Sequence, residues 1–408
     1  MAGTGDKDWD EIDNDVVFDM TDLEDDEERE KRKRRRRWTI LIYIGCGIVA
    51  VAIIYVGIMI YVNRSFDEYE VIDTFASADS GAVEYAPYNG GLLRYSRDGA
   101  SAYNDEGEVI WNGSYELSVP VADINGKYVL IYDLEGKNAY VFNGSDSGTA
   151  LTTTKSIASG RVSAGGLVAL LTDDTDSNTI SLYNPYDNQE SLLAEIPTNV
   201  TDGYPVDFAM SADGNSIIGS YMGAENGEVS SRVVFYNFSD VGKDKDSLVG
   251  AQNFGNTIVP KLEFLDEDTV CLFTIEGFSV WNNMKQPKKI GEVKPKKNIK
   301  SAFYDSGHVG LVLDRADSKE DYQLVLYNLN AKETMSVNLG FEYTNVRMEG
   351  GEIHMYSSSE WRILTTNGKW KVRCKTKGET AGIYPTTKRN TYFMVSKEGL
   401  QLVKLVRK

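Results

Sequence analysis

The chain has 408 residues, 43 basic and 61 acidic side chains, a net charge of −18 and three cysteines. Its 41% apolar content is enough for a packed core, and its length allows one large domain or two to three ordinary ones. With 37 Gly and 24 Tyr against 9 Pro, it fits many short strands and turns and argues against a mainly helical chain.

Residues 1–30 carry 14 acidic and 2 basic side chains. So few apolar residues among so many carboxylates cannot bury enough surface to fold alone, and a disordered acidic tail is expected. Within it, DVVFDMTDL is a candidate docking motif for a cytoplasmic partner, with Phe18, Met20 and Leu23 as its contacts. From Leu23 onward a helix is expected, because Glu27–Lys31, Glu28–Arg32 and Glu30–Arg34 are i,i+4 pairs in the favourable order.

A basic stop follows at residues 31–37, KRKRRRR, and then WTILIYIGCGIVAVAIIYVGIMIYV from Trp38 to Val62, 25 residues without a charge. As a helix that run is about 37 Å long, enough to cross a hydrocarbon core of roughly 30 Å. Trp38 and Tyr43 stand near one end and Tyr61 near the other, where aromatic rings favour the membrane interface. A nuclear address is excluded because the cations abut a span. A cleaved leader would have a shorter apolar core and a small-x-small cleavage site. Lipid attachment at Cys46 is disfavoured by Tyr43, which stands where a small aliphatic residue is needed. Eight cations from Arg29 to Arg37, including Arg34, Arg35, Arg36 and Arg37, precede the span, and only Arg64 lies just after it. The positive-inside rule then places the N-terminus in the cytoplasm and residues 63–408 outside, an uncleaved signal anchor in a bacterial cytoplasmic membrane, with anionic lipid heads against the arginines. The span has no GxxxG spacing to support dimerisation.

After Val62 the pattern becomes short β-branched and aromatic runs broken by Gly, Asn and Asp. VADINGKYVLIYDLEGKNAYVFN and KLEFLDEDTVCLFTIEGFSVWNN both read strand, turn, strand, turn, strand. The period is about 37–45 residues, that of a four-stranded propeller blade. Units fall at roughly 82–118, 119–156, 157–198, 199–255, 256–297, 298–341 and 342–378, the fourth lengthened by an insertion around Asn226–Lys245. Three strands remain at 379–406 and one at 69–75, YEVIDTF. Zipped together they make a closing blade, which removes the ring's open ends. The expected fold class is all-β: an eight-bladed propeller at residues 63–408, with seven blades, or else two separate β-sandwiches or a stacked β-solenoid, as alternatives.

The stretch LLRYSRDGASAYNDEGEVIWNGSYEL resembles quinoprotein/WD40-like propeller repeats, in which a Gly turn precedes an aliphatic pair and Trp, here Gly107, Val109, Ile110 and Trp111. The whole layout is similar to membrane-anchored propeller proteins of unknown function from Gram-positive, clostridia-type bacteria. The resemblance implies a fold and a location, not a reaction.

Chemistry-bearing motifs are few. Asp174, Asp176 and Asn178 match the first ligand positions of a calcium loop, but Thr179 replaces its Gly and Pro185 its Glu, so a hairpin is expected. His308 and His354 lie in strand-like segments without recognisable partners, and Cys271 and Cys374 read as buried free thiols. The sequons at Asn112, Asn143, Asn199 and Asn237 read as turn chemistry. No catalytic, cofactor or metal residue is assigned. Charge is more informative: residues 63–284 hold 11 basic and 34 acidic side chains, residues 285–408 hold 23 and 13. Lys288, Lys289, Lys296 and Lys297, with Lys285, Lys294 and Lys300, make a candidate basic surface for a protein or anionic envelope polymer. Nucleic acid is disfavoured, since no aromatic platform interrupts these lysines. The function expected is a non-enzymatic, membrane-tethered binding scaffold. The alternative is an extracytoplasmic enzyme or small-ligand sensor with a site at the central channel.

Overall fold

The computed structural model describes residues 20–62, 65–75, 82–174, 177–187, 191–199, 203–225, 227–243, 246–314, 322–376, 380–397 and 399–407. The chain divides into two units, Met1–Arg64 and Ser65–Lys408.

In the first unit one helix runs from Met20 to Val62. It begins three residues before the expected Leu23 and takes in residues 20–30, the end of the segment expected to be disordered. Of the three pairs expected to carry it, Arg32 meets Glu28 at 3.1 Å. The rest of the tail, Phe18 included, lies outside the described residues. From Glu28 to Met59 the helix is long and apolar enough to cross a membrane. Its large apolar side chains are exposed, Ile53 to 67%.

In the second unit the described residues form eight four-stranded antiparallel sheets. Blades 1 to 7 span 84–114, 120–152, 156–199, 204–255, 261–293, 299–338 and 345–375, each laid down from inner to outer strand. Blade 8 takes three strands from 380–406, and its outer strand is Glu68–Phe75. The register pairs Glu68 with Val406, Tyr69 with Leu405 and Phe75 with Leu400. The eight-bladed count and the zipped closing blade are therefore as expected, and the seven-bladed alternative falls. Just before this strand, Phe66 N–H donates to Lys371 O at 2.8 Å and Phe66 O accepts from Arg373 N–H at 3.0 Å, so the incoming chain is also stitched to blade 7.

Middle strands such as Tyr128–Asp133 are buried on both faces, which is why they read as unbroken apolar runs. Each of the eight apolar cores among the described residues is shared by two neighbouring blades. Between blades 7 and 8, Trp361 is fully buried with its ring edge-on to Tyr392, centroids 4.9 Å apart. Between blades 8 and 1, Leu92 packs on Phe393, Leu400 and Leu402. A lone blade would leave both faces wet, so stability resides in the stacking.

The motif of blade 1 has a structural role. Gly107 has φ +85°, and a Cβ there would lie 2.0 Å from the ring of Phe75, the last residue of the closing strand. Trp111 is buried and stacks on Phe142 of blade 2 at 5.0 Å. The insertion in blade 4 is largely a long hairpin, Ser216–Glu225 with Glu228–Asn237, followed by a longer connection to the outer strand. Asp174 lies at a hairpin between Val168–Asp173 and Ser177–Tyr183, as expected. Cys271 and Cys374 are buried free thiols in strands of different blades.

Candidate functional site

The inner strands of successive blades approach one another around the axis. There the space between blades is narrow, and several blades place a polar side chain in it. On the inner strand of blade 2, Asp123 Oδ2 accepts the N–H of Val162 in blade 3 at 2.7 Å. Arg161 of blade 3 donates from Nη2 to Asp207 Oδ1 of blade 4 at 3.0 Å and from Nη1 to the Gly160 carbonyl at 2.9 Å. Asp207 Oδ2 accepts the N–H of Leu262 in blade 5 at 2.7 Å. Lys261 and Glu263 of blade 5 pair at 3.1 Å, and the Tyr304 hydroxyl of blade 6 donates to Glu263 at 2.8 Å. Five consecutive blades are joined by this belt. A second arc joins blades 7, 8 and 1: Arg347 donates to Ile383 O and stacks 4.1 Å from the Tyr384 ring, while the Tyr384 hydroxyl donates to Tyr85 O at 3.1 Å.

The electrostatics follow from enclosure. Burial pushes Asp123 up to about 6, against the pull of Arg161 and the Val162 N–H. Burial also raises Asp207, again opposed by Arg161. For Arg161 burial works downward, but Asp123 and Asp207 overcome it and hold the guanidinium charged. Tyr304 is raised by burial and by Glu263. Each of these groups is engaged with a neighbouring blade, so the belt ties blades 2 to 6 to one another. Sequence reasoning missed it. The available signal was one ionisable residue inside each first apolar run, as in VADIN, ASGRV and PVDFAM.

A second, partly buried cluster joins blades 7 and 8. Lys371 Nζ donates to Glu352 and, at 2.8 Å, to the Tyr392 hydroxyl, which in turn donates to Glu352 at 2.9 Å. Behind it His354 is fully buried, its Nε2 3.7 Å from Glu352. Burial, with help from Arg347 and Lys371, drives its pKa far down, so the ring is neutral. Neither of its ring nitrogens has a hydrogen-bond partner among the described residues. His308 lies at the start of its strand, 3.1 Å from Asp305.

The lysines expected to form one patch are spread along an edge. Lys288 and Lys289 begin the outer strand of blade 5, Lys288–Val293, and Lys296 and Lys297 lie beyond its end. That strand is about 20 Å long, so the two pairs stand near opposite faces of the ring. Several of the charges are engaged: Lys289 with Glu292 at 2.9 Å, Lys294 with Glu276 at 3.0 Å and Lys300 with Glu342 at 3.3 Å. Lys297 donates to Gln323 at 2.7 Å. Lys288 and Lys296 make no ion pair among the described residues. On the helix, Arg34, Arg35, Arg36 and Arg37 are exposed, and Lys31, Arg34, Arg35 and Trp38 frame one groove, as their i, i+3, i+4, i+7 spacing requires. Trp38 and Tyr43 are exposed, while Met20 and Leu23 fall in the first turns of the helix and Tyr61 in its last.

Several solved propellers share this fold. BamB from Moraxella catarrhalis superposes with a TM-score of 0.52 at 15% identity, covering 83% of this chain and 100% of that one. Saccharomyces cerevisiae Sqt1 gives 0.51 at 13% identity, over 85% of this chain and 100% of that one. Chaetomium thermophilum Sqt1, bound to the N-terminus of ribosomal protein L10, gives 0.52 at 11% identity, over 83% and 100%. At these identities the likeness is one of fold. No curated protein matches the sequence. A family model does match, over residues 62–405, and the chain therefore belongs to the family of unknown function DUF5711.

Proposed function

We propose that this chain is a single-pass protein of the bacterial cytoplasmic membrane whose propeller works as a binding platform outside the lipid. Residues 38–62 cross the membrane, the acidic tail stays in the cytoplasm, and the ring presents its loop faces to a protein or an anionic envelope polymer. The observation that carries this reading is the helix: 25 uncharged residues, the side chains of 38–59 exposed, with eight cations just before them and Arg64 alone just after. A closed ring of eight blades adds a rigid surface made of turns, the kind of scaffold on which binding loops are held. The Sqt1 structure, with its ribosomal peptide, is one such use of the fold and supports protein binding. Phe18, Met20 and Leu23 couple the platform to a cytoplasmic partner. A small-ligand sensor or enzyme at the channel is the second reading. The belt from Asp123 to Tyr304 is where it would act, and the mutual engagement of those charges favours the platform.

Alkaline extraction and protease treatment of intact cells test the anchor and its orientation. The protein is expected to stay with the membrane at high pH and to lose residues 65–408 to external protease. Release by alkali would overturn the anchor, and a protected ring would overturn the orientation. Proximity labelling from the ring, with and without Lys288→Glu and Lys296→Glu, tests the platform. Unchanged capture by the variant would remove the basic edge from the reading.

A further inference from the structure

We propose that the cavity between blades 7 and 8 is a binding site for a phosphate group, held by Arg389 and Lys371. This goes beyond the scaffold reading and does not depend on it.

The cavity has a volume of about 210 Å³ and opens where the Glu349–Glu352 turn of blade 7 faces the Pro385–Thr391 loop of blade 8. Its wall carries two carboxylates and three cations. What decides the ligand is which of these charges are already spent. Glu352 accepts from Lys371 on one oxygen and from Tyr392 on the other, so its charge is paired inside the wall. Lys388 is committed to blade 1, pairing with Glu106 at 2.7 Å, and the neighbouring Thr387 hydroxyl donates to Asp105. Glu349 lies 3.9 Å from Arg347, a cation beside its carboxylate, and burial pushes its carboxyl up.

Donor capacity is left over on two of the three cations. An ammonium has three N–H donors, and Lys371 uses two of them, on Glu352 and Tyr392. Arg389 has no ion pair or hydrogen-bond partner for its side chain among the described residues, and it lines the cavity from an exposed turn. That turn is fixed at Asn390, which sits in the left-handed region at φ +59° and accepts the N–H of Leu405 on its carbonyl at 2.9 Å. A guanidinium and an ammonium with a donor to spare, lining one cavity with Asn390, suit the several acceptor oxygens of a phosphate better than any cation. The rigid floor supports this geometry, since Tyr392 is buried against Trp361 and cannot swing away.

The test is calorimetric titration of the full chain in a neutral detergent with inorganic phosphate, followed by glycerol phosphate and by vesicles of phosphatidylglycerol. Saturable phosphate binding is expected, weakened at least tenfold by Arg389→Ala. That exposed substitution leaves the fold intact, as circular dichroism checks. Lys371→Met strips Glu352 of its cation and can misfold, so Lys371→Arg serves as the second variant and is expected to retain binding. Competition by the vesicles assigns the phosphate to a lipid head group, and competition by glycerol phosphate alone assigns it to a soluble ester. Either result upholds the site. No saturable binding to the wild type, or an unchanged affinity in Arg389→Ala, would overturn it.

Discussion

Arg161 Nη2 lies 3.0 Å from Asp207 Oδ1, one inner strand reaching the next, with both side chains largely withdrawn from water. Removing one member of such a pair strands the other in low dielectric. Arg161→Met is therefore expected to cost about 3–5 kcal/mol. Adding Asp207→Asn, which keeps an acceptor for the Leu262 N–H, should recover part of that loss. Urea denaturation of the single and double variants measures it. A loss below about 1 kcal/mol for Arg161→Met would contradict a belt that ties blades together.

Asp123 makes a pH signature. Its folded pKa is about 6, above the ordinary value of 3.8, so the folded state holds its proton more tightly than the unfolded chain does. The stability this contributes is fully present below the ordinary value and is lost as pH rises through about 6. Asp123→Asn should gain stability over the wild type across that window, by on the order of 3 kcal/mol, and no further above it. Its amide oxygen still accepts from Val162. Melting temperatures of the two proteins from pH 4 to 8 would run parallel if this account is wrong.

His354 works in the opposite sense. Its folded pKa is depressed, so below the unfolded value of 6.5 the unfolded chain takes up a proton that the buried ring refuses. Stability from this residue is present above that value and drains away as pH falls. His354→Met, of similar volume, should remove this part of the acid sensitivity and cost little at pH 7, because no hydrogen bond is lost. A loss of several kcal/mol at neutral pH would show that the imidazole has a partner that matters.

Ring closure has its own test in Gly107. A Cβ there meets the Phe75 ring at 2.0 Å, on a backbone with positive φ. Gly107→Ala is expected to destabilise by about 1–3 kcal/mol. It should also speed amide exchange along Glu68–Phe75 more than in blades 3 to 6. Uniform exchange in the variant would mean that the turn and the closing strand are not coupled.

Much of this molecule is written in local pattern. Trp38–Val62 reads as a span because no charge interrupts it, and the turns at Asn125-Gly126 and Glu135-Gly136 punctuate strands whose burial follows from their apolar runs. Even the closing blade was countable, since four strands per repeat leave three at one end of the ring and YEVIDTF for the other. These features depend on residues a few positions apart, and burial per strand is a local property. The belt and the cavity are not. Asp123 and Val162, Arg161 and Asp207, Asp207 and Leu262, Glu263 and Tyr304 are partners 39 to 55 residues apart on different blades. Likewise Arg389 shares a cavity with Lys371 only because blade 8 stacks on blade 7. Composition and periodicity determined the helix, the strands and their number. Which charges meet across blades was decided by the ring, because facing side chains there are set by how sheets stack around an axis and not by order along the chain.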